Sequence, residues 1–294
     1  MDNAGFYIRW SVCCHSAAYT RPVEYAGHLR DGDPARQSDA PCQPSSRGLS
    51  FEFGCILKEA LLNPRIIASP GIQGWAAMAA DVIGQAINST IACRGVCHVM
   101  LTGGNTVAPL YRHWAGSSAL PWDRIRFLFG DERCVPPDHD QSNYALTMRT
   151  LLSNGLPAGC SIMRMNGDNP DRDAAAQEYE LLLPAEIDVL LLGVGTDGHI
   201  ASLFPGSHAL HPAHRTVLPV TAPVPPHERL TITPRVIGNS KSIFLLATGE
   251  EKGRILAEAL ISPGDYTSLP VRLALGGTWL LDEAAARIVS GNSD

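Results

Sequence analysis

The sequence predicts an α/β protein: a three-layer, Rossmann-like parallel sheet with a mixed edge, flanked by helices. Three observations predict it. Short runs at 96–101, 125–129 and 187–192 are apolar but for one residue each, as expected of strands buried on both faces. Segments of helical spacing alternate with them. Glycine-rich or charged clusters follow the strands, and loops at the carboxyl ends of such strands form the site.

Taken in order, residues 1–64 stand apart. The run from Thr20 to Ser50 is rich in Pro, Gly, Ser, Asp and Arg and has no sustained period. Such a stretch buries too little apolar surface to offset its ordering entropy. One short helix is expected over 51–62, ended by Asn63 and Pro64; the rest reads as a largely irregular extension. Trp75, Met78, Ala79, Val82, Ile83, Ala86 and Ile87 then mark an amphipathic helix. The strand at 96–101 leads into Thr102-Gly103-Gly104-Asn105-Thr106 and a helical segment with Leu110, Tyr111 and Trp114. The strand at 125–129 runs into Gly130-Asp131-Glu132-Arg133, expected as a loop. Ser142 or Asn143 can cap a helix that Gly155 closes. A helix over 171–183 stops at Pro184 and precedes the most apolar strand. That strand enters Gly193-Val194-Gly195-Thr196-Asp197-Gly198-His199. A strand at 243–247 and a helix at 250–261 follow.

Composition bounds the function. The 294 residues carry 23 Lys plus Arg against 29 Asp plus Glu, a net charge of −6. That balance argues against a duplex nucleic acid partner. No apolar run approaches the ~20 residues of a membrane span, and the start, MDNAGFYIRWSVCC, does not read as a secretory signal. The eight cysteines include no CxxC pair, so free thiols in a reducing cytoplasm are expected rather than a zinc site. His208, His211 and His214 have helical spacing, but Pro205 and Pro212 make a continuous helix, and hence a metal there, unexpected. Only three of the cations are lysines: Lys58, Lys241 and Lys252.

The clusters carry the chemistry. Gly193-x-Gly195-x-x-Gly198 matches the dinucleotide fingerprint literally. That motif needs a helix directly afterwards and an acid about 20 residues on. Here Pro205 interrupts, and the next acid after Asp197 is Glu228. The loop instead pairs Asp197 with His199, a side chain suited to proton transfer near neutral pH. A structural loop histidine is the plainer alternative. Residues 102–106 can cradle a phosphate with backbone N–H groups. Asp131 and Arg133 supply mixed charge, or form no more than a solvated edge. Arg229 and Lys252 are further cations near predicted element ends, and a phosphate dianion wants two or three such groups.

In this order GDERCVPPDHDQSN at 130–143 and LGVGTDGHIASLFPGS at 192–207 closely resemble the 6-phosphogluconolactonases. LTGGNTVAPLY, PPHERLTIT, GEEK and WLLDEAAA add to the likeness, which runs from Arg65 to Arg287. The resemblance implies a sugar-phosphate isomerase-like domain over 65–294 that hydrolyses 6-phosphoglucono-δ-lactone. It implies no cofactor and no metal, a small phosphorylated sugar lactone as partner, and a cytoplasmic monomer or weak homodimer. Carried over motif by motif, His199 is the general base and Asp197 its companion. Arg133, with Asp131, faces the substrate. Gly103, Gly104, Thr106, Arg229 and Lys252 hold the phosphate. Asn105 stands where the family usually has Ser or Thr, which leaves a side-chain contact there open. Two other readings remain: a glucosamine-6-phosphate isomerase or deaminase, whose Asn-Glu-Pro after the histidine is here Ser202-Leu203-Phe204-Pro205, and a catalytically silent sugar-phosphate binder.

Overall fold

The computed structural model describes residues 63–291, apart from 116, 213 and 263. The expected extension and its helix over 51–62 therefore lie outside the described residues. Ten strands are present among those described: β1 Arg65–Ser69, β2 Cys97–Leu101, β3 Ile125–Phe129, β4 Asp131–Arg133, β5 Ser161–Ile162, β6 Ile187–Gly193, β7 Val217–Thr221, β8 Glu228–Ile232, β9 Ser240–Ala247 and β10 Thr278–Asp282. The helices are α1 Gly71–Arg94, α2 Ala108–Trp114, α3 Asn143–Thr150, α4 Arg172–Glu180, α5 Pro234–Gly238, α6 Glu250–Ile261 and α7 Glu283–Val289.

Seven strands form one sheet in the order β1-β10-β9-β6-β2-β3-β5, and every pairing in it is parallel. The central strand β6 explains why. Residues 187–192 are all buried, and each fully buried leucine among them contributes roughly 1.5–3 kcal/mol relative to exposure. Such a strand needs cover on both faces. Part of that cover is α1, whose Trp75, Ala79, Ile83 and Ile87 are completely buried and which packs on β1, β2, β6 and β10. The helix ends where Gly95, at φ 79°, takes the left-handed conformation and donates its N–H to the Ile91 carbonyl.

Beside the main sheet lies a small antiparallel one, β4-β8-β7. This corrects the expectation of a loop at 131–133. Asp131, Glu132 and Arg133 pair with Thr231, Leu230 and Arg229, and the two acids are buried. Their charges suggested solvent, but both carboxylates are satisfied internally. Glu132 accepts from the backbone N–H groups of Arg133 (2.7 Å), Asn143 (2.7 Å) and Tyr144 (2.8 Å) and from the Ser142 hydroxyl (3.0 Å). A carboxylate so engaged at a helix start is well placed against orphan N–H groups. Burial still pushes its pKa above the ordinary range, the three N–H donors offsetting only part of that.

The main sheet's strands run the same way, so the ends of β2, β3, β6, β9 and β10 open on one edge. There they meet β4 and β8.

Candidate active site

A cleft on this edge is lined by Thr102–Thr106, Asp131, Arg133, Gly193–Gly195, His199, Ala201, Arg229 and Lys252. Nine of the ten residues singled out from the sequence line it; the tenth, Asp197, holds His199 from behind. Segments 150 residues apart in the chain thus converge: the clusters after β2, β3, β6 and β9 follow strands of the main sheet, and Arg229 is brought in by β8 of the small one.

The loop after β6 is shaped by its glycines. Gly195 donates its N–H to the His199 carbonyl at 2.9 Å, and Gly198 donates to the Gly195 carbonyl at 3.1 Å. A Cβ at Gly195 would sit 2.2 Å from the imidazole of His199, so the ring occupies the space a side chain would need. Gly198 has φ 80°, which favours glycine. His199 Nδ1 lies 2.5 Å from Asp197 Oδ1, and this bond holds the Asp197 carboxyl below its ordinary range. Engaged at Nδ1, the imidazole keeps Nε2 for other work. Phe204 packs on the ring at 4.6 Å between centroids. No helix follows the loop; it closes instead through bridges from Val194 to Ile200 and Ile200 to Leu203. The dinucleotide requirement of a helix N-terminus is thus unmet here.

The loop after β2 is equally close-packed. A Cβ at Gly103 would lie 1.8 Å from Asn143 Oδ1. Asn143 in turn donates to Asp131 Oδ1 at 3.1 Å, and the Ser202 hydroxyl donates to Asp131 Oδ2 at 2.7 Å. Asp131 therefore ties the glycine loop and the histidine loop to β4. Sequence reasoning did not single out Asn143 or Ser202 for this. The signal available was Ser202 three residues past His199 in the histidine motif's own extension, but a buried carboxylate partner cannot be read from spacing.

The cations come from three directions. Arg133 and Arg229 face each other across the β4–β8 ladder. Like charges directly opposite cost up to about 1 kcal/mol, and neither has a carboxylate ion pair among the described residues. Arg133 donates to the Gln141 carbonyl (2.8 Å) while its Nε has no partner. Arg229 is 5% exposed, donates to the Pro226 carbonyl (3.0 Å) and lies over the Phe204 ring. Burial, then the Arg133 charge, pulls its pKa down. Lys252 stands in the first turn of α6, with Nζ donating to Thr106 Oγ1 at 2.6 Å. Burial lowers its pKa, and Asp282 opposes that. Gly104 and Asn105 are exposed at the mouth. The whole arrangement offers one oriented base beside a cluster of underpaired cations, suited to an anionic substrate and a proton transfer.

Elsewhere the chemistry is quieter. His208 falls in a short 3-10 turn, 208–210, and no group of three potential ligands is placed for a metal among the described residues. The thiols of Cys97, Cys134 and Cys160 are pushed up by burial, to about 12, 11 and 11. Cys93, Cys97, Cys134 and Cys160 are all free. No described helix is long and apolar enough to cross a membrane. A hollow at the opposite end of β6 is lined by Glu180, Thr216, Arg235 and Asn239. Glu180 is occupied there by Arg215, Thr216 and Val217, so no free base meets a cation.

Known proteins supply the context. The family model described as glucosamine-6-phosphate isomerases/6-phosphogluconolactonase matches residues 72–281. A 6-phosphogluconolactonase of Mycobacterium tuberculosis is 37% identical over 224 residues, covering 70% of this chain and 90% of the relative. A human 6-phosphogluconolactonase is 33% identical over 233 residues, 71% of this chain and 90% of the relative. The solved structure of 6-phosphogluconolactonase from Trypanosoma brucei superposes with a TM-score of 0.68 at 26% identity, covering 76% of this chain and 98% of that one. By the extent of these matches, the chain belongs to the glucosamine-6-phosphate isomerase/6-phosphogluconolactonase family.

Proposed function

We propose that the chain hydrolyses 6-phospho-D-glucono-1,5-lactone to 6-phosphogluconate, as in the oxidative pentose phosphate pathway. The observation that carries this reading is the Asp197–His199 pair at 2.5 Å on the rim of a cleft lined by Arg133, Arg229 and Lys252. The identically named relatives support the choice of substrate.

A lactone is an activated ester, so the enzyme has two tasks: deprotonate an attacking water and accommodate the oxyanion. His199 Nε2 takes a proton from water as its oxygen bonds to the lactone carbonyl carbon. The resulting imidazolium is stabilised by Asp197. The tetrahedral intermediate then expels the ring oxygen, which receives that proton and becomes the C5 hydroxyl. A positioned base contributes typically about 10²–10⁴-fold. Arg133 faces the reacting end, its positive charge favouring the oxyanion. Lys252, Arg229 and the Gly103–Gly104 backbone hold the phosphate, with Thr106 and Asn105 beside them, so the ring is fixed relative to the base. Asp131 positions the loops. No step calls for a metal or organic cofactor. The reaction fits a cytoplasmic enzyme acting as a monomer or weak homodimer, with the domain beginning near residue 65.

A side-by-side assay with 6-phosphogluconolactone and glucosamine 6-phosphate, corrected for spontaneous lactone hydrolysis, tests the reading. Turnover of the lactone alone is expected. His199→Ala should lose at least about tenfold in kcat while still binding 6-phosphogluconate. Unchanged turnover removes the general base, and deamination of the amino sugar replaces the substrate.

A further inference from the structure

The carboxylate of Asp282 lies at the carboxyl end of β10, beside the end of β9, where Leu281 is in register with Ala247. It makes two kinds of contact. Asp282 Oδ1 accepts from the Ala285 N–H at 2.9 Å and so caps α7. Both its oxygens also accept from the Gly249 N–H, at 3.0 and 3.1 Å. Gly249, at φ 88°, is the residue from which α6 starts, and Lys252 is in that helix's first turn. One side chain therefore fixes the starts of both α6 and α7.

A neutral asparagine or serine caps a helix as well as aspartate does. The charge itself stands at two helix starts, where a carboxylate is favoured, and Lys252 is the cation carried by the first turn of one of them. Resting on the reading of the cleft as a phosphate site, we propose that Asp282 is a positioning residue for Lys252: through Gly249 it anchors the turn that carries the lysine and sets a negative charge at that same helix start.

The surroundings single Asp282 out. On its own helix Lys252 has Glu250, Glu251, Arg254 and Glu258. Glu250 is engaged by Arg254 (3.0 Å) and by Arg287 of α7 (3.2 Å). From α7 come Glu283 and Arg287; from the 3-10 turn at 270–274, Arg272, which donates to the Asp265 and Ser262 carbonyls. Across the cleft stand Asp131, Arg133, His199 and Arg229. Against the burial that lowers the Lys252 pKa, the charge that pulls it back is that of Asp282.

The sign of the effect follows. Removing the negative charge lets Lys252 lose its proton at a lower pH, so anion binding fades earlier as pH rises. The chain has only three lysines, which makes direct observation practical. Wild-type, Asp282→Asn and Asp282→Ser chains carrying ¹³C at lysine Cε are titrated by NMR, with Lys252→Arg assigning the signal. Lactonase turnover of the wild type and calorimetric 6-phosphogluconate binding are measured alongside. The Lys252 midpoint is expected to move to lower pH in both variants while that of Lys241 stays. On the alkaline limb affinity should fall about threefold or more relative to wild type, a larger loss than at pH 7. Coincident Lys252 titrations in the wild type and whichever neutral variant folds would overturn the proposal. A wild type inactive on the lactone would instead overturn the substrate, leaving the lysine titration as the test of Asp282.

Discussion

At the scale of single residues, the site is built on the absence of atoms as much as on their presence. Gly195 leaves the volume that His199 fills, and Gly103 leaves the volume that Asn143 fills. Gly195→Ala is therefore expected to displace the imidazole and weaken its bond to Asp197. The predicted loss is at least about tenfold in kcat, since a misplaced base forfeits much of its contribution. The melting temperature should change little, because the ring is at the rim. Full turnover in that variant would show that the imidazole position is not what sets the rate. His199, Asp197, Arg229 and Lys252 were legible from residue type and place in the sequence. Asp282 was not, because its two hydrogen-bond partners lie on different helices.

At the scale of elements, strands buried on both faces announced themselves. β2, β3 and β6 are apolar runs broken only by His98, Arg126 and Asp188, and α1 and α6 have clear helical spacing. β7 and β8 did not, since Pro219 and the charged pair Glu228-Arg229 interrupt any apolar pattern in a short edge structure. β4 was read as a loop because nothing in Asp-Glu-Arg signals that four donors wait for Glu132. The start of α3 depends on those donors. Ser142 Oγ accepts from the Ala145 N–H at 3.1 Å while donating to Glu132. Ser142→Ala removes both, and the cap alone is worth about 1–2 kcal/mol. A drop of several degrees in melting temperature is expected, at about 2–4 °C per kcal/mol for a domain of this size. An unchanged melting curve would mean that Glu132 and the backbone hold the helix start unaided.

At the scale of the whole molecule, every residue of the proposed machinery lies between 102 and 252, and Asp282 extends it to β10. A chain lacking residues 1–60 is accordingly expected to keep lactonase turnover within about twofold and to fold cooperatively. Loss of folding on that deletion would place part of the core's support in the removed segment. With a net charge of −6, the molecule as a whole repels anions, so attraction must be local. The cross-strand pair Arg133–Arg229 supplies it, and that pair has a thermodynamic counterpart. Two guanidiniums held face to face raise the free energy of the empty native state, and a bound dianion relieves the repulsion only in the folded chain. Substrate and product therefore act as folding ligands, adding RT ln(1 + [L]/Kd) to stability. The enzyme is sturdiest when its metabolite is abundant.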